Sequence, residues 1–254
     1  MIKCYLCKSE EATQKNSHIV PKFLGISLVT SDDGKRKGYK LDISSVGQKL
    51  KSFQDTPKED FILCPKCENK FSKIERKSAN EVFKLIDNDI KKNQLTKLFS
   101  NNGYQFITFK NIDYVNFKKL LYSILWRAQI SKLEYFSDLS LPDNLTENFR
   151  KILNDEMEFV DIPIIVLTTV NDNYKTKNYI YANSNLNDCF FWMNEFLVFY
   201  DFGSDNVMYK YFKDISITEN ENVKIGVLPL TAWDSIRKKI IDIKIDLLKK
   251  KNII

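Results

Sequence analysis

Two Cys-x-x-Cys pairs, Cys4-Tyr5-Leu6-Cys7 and Cys64-Pro65-Lys66-Cys67, constrain this chain more than any other feature. Four thiolates split this way are the ligand set of a closed structural zinc site. Once one ion joins them, the intervening chain must leave and return to a single point. Such a staple lets a region fold around too little apolar surface to close by itself. The start of the chain, Met1-Ile2-Lys3-Cys4, has no apolar signal-peptide core. No apolar run reaches the roughly 18–20 residues of a membrane span, so a cytoplasmic location with no membrane partner is expected. Thiols stay reduced there, which favours metal ligation over disulfides; two unmetallated pairs of buried cysteines are the alternative. The fifth cysteine, Cys189, lies in an aromatic run and reads as a small core residue.

The single histidine of the chain lies between the pairs, in Ser17-His18-Ile19-Val20-Pro21. An imidazole that titrates near neutrality can take a proton from a water attacking a phosphodiester. The leaving 3′ oxygen then calls for a divalent cation. Oxygen ligands for Mg²⁺ or Mn²⁺ stand nearby in the sequence. Glu68 follows Cys67 directly, and Glu75 lies about two helical turns further on, which puts both carboxylates on one helix face. Asp55, with Glu59, precedes the second cysteine pair and completes the candidate set.

Charge points the same way. Residues 1–100 hold 20 Lys and Arg against 13 Asp and Glu; of the chain's 39 and 33, that leaves 19 against 20 for the rest. The basic excess therefore lies with the cysteines and the histidine, which suits a polyanion such as nucleic acid. Lys35, Arg36, Lys37, Lys70 and Lys73 are candidate phosphate contacts, and Arg127, beside Trp126, is another. Solvated lysines explain the same residues equally well, and a buried Trp126 beside an exposed Arg127 is the commoner arrangement of that pair.

At these residues the chain resembles the HNH endonucleases, the treble-clef branch of the histidine–metal finger nucleases. The matching elements are Cys4-x-x-Cys7, His18-Ile19-Val20-Pro21 and Leu63-Cys64-x-x-Cys67-Glu68, over about residues 1–80. The resemblance implies a treble-clef ββα-metal fold, structural zinc on the four cysteines and His18 as general base. It also implies a divalent metal ligand at the start of the second helix, where Glu68 stands in place of the family's closing histidine or asparagine. Two departures accompany it. Ser17 occupies the position of the aspartate that usually precedes the base, and Glu59 or Asp60 stands near the place of the family's asparagine.

The expected fold class is α+β, with a zinc domain over residues 1–100 and a mixed α+β domain over 101–254, divided at the turn Ser100-Asn101-Asn102-Gly103. Within the first part, a hairpin or substrate-facing insertion is expected in 31–60, a strand at Asp60–Leu63 and a helix from Glu68 to about Ile90. The second part reads as a strand at Tyr104–Phe109, amphipathic helices at Asp113–Ile130 and Asp143–Glu156, and strands at Ile162–Val170, Asn178–Ala182, Cys189–Met193, Glu195–Asp201 and Asn222–Leu228. A closing helix spans Thr231–Lys250.

The function expected from these features is a metal-dependent HNH-type endonuclease, a hydrolase acting on DNA ahead of RNA. Its C-terminal domain would regulate or position it, through a homo-oligomer or a regulatory partner. A role as a phage-defence effector follows only by analogy with nucleases that carry an unfamiliar second domain. Two alternatives stand beside it: a non-catalytic zinc-finger nucleic-acid binder, and a zinc-stabilised protein-interaction module.

Overall fold

Alternating apolar residues in Gln105–Phe109 and continuous apolar runs in Ile164–Thr169 and Phe196–Tyr200 are the signatures of half-covered and fully covered strands, respectively. In the computed structural model they form the centre of one sheet. The structure describes residues 2–24, 38–42, 49–53, 55–83, 97–99, 103–169, 180–185, 188–193, 195–203, 207–217 and 222–250. Among these the fold is α+β.

The N-terminal part contributes β1 (Ser17–His18), β2 (Gly38–Asp42), β3 (Lys49–Phe53), β4 (Lys58–Glu59) and α1 (Pro65–Ser78), with a π-helical turn at Ala79–Phe83. Then follow β5 (Lys97–Phe99), β6 (Gln105–Phe109), α2 (Tyr114–Ile130) and α3 (Asp143–Leu153). The rest comprises β7 (Ile164–Thr169), β8 (Ile180–Asn185), β9 (Asp188–Met193), β10 (Phe196–Tyr200), α4 (Val207–Phe212), β11 (Val223–Leu228) and α5 (Leu230–Lys250).

The sheet has seven strands in the order β5-β6-β11-β7-β10-β9-β8, antiparallel throughout except for the parallel pair β11–β7. Successive side chains alternate between its faces, and each face has its own cover. Ile107, Val166, Val198, Phe191 and Ile225 point to the face packed by α2, α3 and apolar residues of the N-terminal part. Ile165, Leu167, Phe199, Phe190 and Trp192 point to the other, where Trp233 and Ile240 of α5 close it. Trp192 and Trp233 meet edge to face at 5.8 Å.

Expected as amphipathic, α2 is instead buried around almost its whole circumference, from Leu120 to Ala128 without a break. The cause is its position: α1 and α3 flank it and the sheet backs it, with the Tyr200 hydroxyl donating to the Leu121 carbonyl at 3.0 Å. Asp113 caps its N-terminus by accepting from the Asn116 amide.

Two expectations shift. Asp60–Leu63 is a run of bends, with the extended pairing displaced to Lys58–Glu59, because Phe61 takes a left-handed φ of 60° that a strand does not accommodate. The polar stretch 31–60 does contain a hairpin, β2–β3, paired from Gly38↔Phe53 to Asp42↔Lys49. The division expected at residue 100 falls between β5 and β6, which pair as neighbours in the sheet, and one apolar cluster runs from Cys4 to Val227.

Candidate metal centre and active site

The sulfurs of Cys4, Cys7, Cys64 and Cys67 lie within 4.8 Å of one another, and this quartet can hold a metal ion such as zinc. Local backbone geometry brings them together. Lys8, at φ 59°, turns the first pair back so that the Lys8 amide donates to the Cys4 carbonyl and the Cys4 amide to Glu10, each at 2.9 Å. The Tyr5 amide donates to the Ile62 carbonyl at 2.9 Å and the Gln14 amide to Leu63 at 3.0 Å, stitching this turn to the segment that delivers the second pair. Cys64 is extended, and Pro65 opens α1 where a missing amide hydrogen costs nothing.

The donor chemistry fits a dication. Burial pushes the Cys4 and Cys67 thiols up, and at Cys67 the adjacent Cys64 and Cys4 sulfurs add to it. Burial acts upward at Cys7 as well, but hydrogen bonds with Ser9 and the Glu10 backbone outweigh it and hold that thiol at about 6. Crowded, buried sulfurs whose charged forms oppose one another are relieved by a shared cation.

His18 lies on β1, opposite Lys58 of β4, with Ser17 opposite Glu59. Asn16 at φ 56° enters the hairpin, its amide held by the Asp60 carboxylate at 2.7 Å. The Ile19 amide donates to the Pro57 carbonyl, so the Asp55–Pro57 segment runs alongside β1. Asp55 reaches the imidazole as a result: its Oδ1 is 3.4 Å from His18 Nε2, while its Oδ2 pairs with Lys58 at 2.6 Å. Burial lowers the His18 pKa; Asp55 opposes this and Lys58 adds to it. The outcome is a half-buried imidazole held toward its neutral form, whose Nε2 is buried and makes no hydrogen bond, with the Asp55 carboxylate 3.4 Å away as an electrostatic neighbour.

Glu68 and Glu75 lie on the same side of α1, as their spacing predicts, and differ in state. The Glu75 carboxylate pairs with Arg127 at 2.8 Å. Glu68 Oε2 is buried without a hydrogen-bond partner, and so is Ser17 Oγ, whose hydroxyl lies beside Glu68 and acts to lower its pKa. Desolvation dominates and raises the Glu68 pKa, with the nearby Glu75 charge adding to it.

The residues singled out in the sequence are therefore distributed as follows. His18, Asp55, Glu68 and Glu75 share one site, but Asp55 and Glu75 each already hold a cation of the chain. Among the described residues the cysteine quartet alone brings three or more acidic, cysteine or histidine ligand atoms within 4.8 Å of one another. Arg127 offers nothing to a surface phosphate. At 1% exposure it is spent inside the fold, and Trp126 is buried too. Lys70 pairs with Asp155 at 2.7 Å, whereas Lys73 is exposed; both line a cleft with Cys7, Lys66 and Asn154. Lys35, Arg36 and Lys37 lie outside the described residues. Cys189 is a buried core residue of β9.

Sequence reasoning missed two residues. Arg150 of α3 is buried, pairs with Glu147 and Glu156, and donates from Nη1 to the Leu6 carbonyl inside the first cysteine turn at 2.6 Å. Lys58 controls Asp55. The second had a signal: Asn16 and the polar run at Asp55–Lys58 are turn residues at the two ends of a short pairing. The first had none, because a buried arginine looks like a surface one until its helix is placed.

No family model, curated protein or solved structure matches the chain.

Proposed function

We propose that the chain is a metal-dependent endonuclease of HNH type, built on a treble-clef zinc finger and hydrolysing phosphodiester bonds of DNA ahead of RNA. The observation that carries this reading is the juxtaposition of a neutral, half-buried His18 with Asp55 at one nitrogen and an unpartnered Glu68 oxygen in the same site. The order of cysteine turn, β1–β4 pair and helix around the four sulfurs, with the sole histidine on β1, supports the treble-clef assignment.

In this reading the Asp55 carboxylate, 3.4 Å from Nε2, acts on the ring by charge, and the imidazole takes a proton from the attacking water. Burial keeps the ring unprotonated before the attack, and the Asp55 carboxylate steadies the imidazolium afterwards. Glu68, with the Ser17 hydroxyl beside it, is the group free to hold Mg²⁺ or Mn²⁺, since Glu75 and Asp55 are engaged by Arg127 and Lys58. Bound there, the ion would neutralise charge on the leaving 3′ oxygen. The four cysteines hold zinc as a structural ion only.

The same two ion pairs favour a second reading. Carboxylates already neutralised by Lys58 and Arg127 suit a zinc-finger binder of nucleic acid whose metal-dependent chemistry is lost. Plasmid cleavage by wild type and His18→Ala, with Mg²⁺ or Mn²⁺ and with EDTA, separates the two. Cutting that requires the divalent ion and vanishes in a folded, zinc-loaded mutant supports the nuclease. DNA binding without cutting, unchanged in the mutant, supports the binder.

A further inference from the structure

Arg127 lies outside the finger, on α2, yet touches both halves of the candidate site. Its Nη1 donates to the His18 carbonyl at 2.6 Å, and its Nη2 pairs with Glu75 Oε1 at 2.8 Å. Its Nε donates to the Ser123 carbonyl at 3.2 Å, Nη2 lies 3.3 Å from Ser123 Oγ, and the guanidinium stands over the Phe71 ring at 5.1 Å. From these contacts we infer that Arg127 is a positioning residue, fixing the backbone that carries the imidazole against the acidic face of α1. Its consequence for catalysis rests on the nuclease reading; the positioning itself does not.

The physical need for such an anchor is plain. β1 is two residues long and pairs only with the two residues of β4, too short a ladder to hold its register unaided. A guanidinium presents donors in a rigid planar fork, so one side chain can bind a carbonyl and a carboxylate in different directions at fixed separation. Lysine cannot span that set. The end of α2 grips the second strand as well: Ser131 Oγ donates to Glu59 Oε2 at 2.6 Å, and the Lys132 amide to the same oxygen at 3.1 Å. Both strands of the hairpin thus hang on one helix, whose place is set by the sheet through the Tyr200–Leu121 hydrogen bond.

The test uses the full zinc-loaded chain, wild type and Arg127→Lys, with near-UV circular dichroism and zinc content as controls of folding. Two quantities are read: kcat and KM for plasmid cleavage with Mg²⁺, and the ring NMR signal of His18, which stands alone because the chain has one histidine. The expected result is a kcat lower by roughly 10²-fold at unchanged KM, the scale of an ångström-sized misplacement, with a displaced or split ring signal. If wild type does not cut, the nuclease reading fails, and the ring signal alone decides whether Arg127 positions His18. A ring signal superimposable on wild type in folded Arg127→Lys overturns the inference, as does a loss confined to KM. Should that variant not fold, Ser123→Ala keeps the arginine and removes one oxygen that holds it. A displaced His18 signal there supports the inference and an unmoved one overturns it.

Discussion

Arg150 Nη1 donates to the carbonyl oxygen of Leu6 at 2.6 Å, placing a guanidinium from the third long helix inside the first cysteine turn. Leu6 is fully buried, so that carbonyl has no recourse to water. Replacing Arg150 with Met should cost about 1–3 kcal/mol for the orphaned acceptor and loosen the Cys4–Cys7 turn. The measurement is zinc release to a chromogenic chelator, expected to be several-fold faster in Arg150→Met. A release rate equal to wild type would dissociate Arg150 from the metal site.

Glu68 carries a buried oxygen without a partner, and desolvation raises its pKa. A group whose folded pKa lies above its unfolded value contributes stability below the unfolded value and loses it as pH rises through the folded one. At neutral pH, without divalent cation, Glu68→Gln should therefore melt a few degrees higher than wild type. Added Mg²⁺ should raise the melting temperature of wild type and leave the variant unmoved. Under the nuclease reading, the same substitution should abolish cleavage. A variant melting below wild type in EDTA would contradict the assignment of Glu68 as a strained, ligand-ready carboxylate.

His18 makes the opposite contribution. Burial holds its pKa below the ordinary 6.5, so the unfolded chain binds the proton first as pH falls. Its share of stability is complete above that value and is lost as pH drops toward the folded value. Urea midpoints between pH 7.5 and pH 5 should fall for wild type and fall less steeply for His18→Gln. Under the nuclease reading, cleavage should follow the same titration, losing rate on the acid side as His18 becomes protonated. Parallel urea curves for the two proteins would refute the buried-imidazole account.

Lys73 is exposed on α1 and lines a cleft with Lys66 and Lys70, and with Glu10 and Glu156. Lys73→Glu should weaken binding to any DNA sequence alike and reduce the salt slope of log Kobs by about 1. Fluorescence anisotropy from low to moderate salt measures both. Lys70, tied to Asp155, should contribute less. Equal affinity and slope in Lys73→Glu would remove this face of α1 from the nucleic-acid surface.

Much of this was legible in the chain itself. Cysteine spacing anticipated a quartet that the fold does assemble, and Phe71 and Ile74, three residues apart, marked a helix with Glu68 and Glu75 on one side, though it gives way to a π-helical turn after Ser78. Periodicity also located six of the seven sheet strands to within a few residues and missed the edge strand β5, Lys97–Phe99. What it could not supply was the partner of each charge. Asp55 read as a free oxygen ligand, whereas hairpin register sets it between His18 and Lys58. Arg127 read as a surface cation because burial on every side of α2 depends on what packs around it, which local pattern does not encode. The order of strands is likewise a property of long-range pairing, with β11 entering beside β7 after four intervening elements.

The two buried guanidiniums also set an order in time. The four metal-site sulfurs and the histidine lie between residues 4 and 67 and leave the ribosome before Arg127 and Arg150, which follow sixty and more residues later. A nascent chain can capture its ion early, but the clamps on the His18 carbonyl and on the Leu6 carbonyl arrive only with the helices that carry them. Synthesis interrupted before those helices would release the cysteine quartet with every candidate ligand present and neither carbonyl held. Under the nuclease reading, competence is gained only once α2 and α3 have closed on the cysteine turn and on β1.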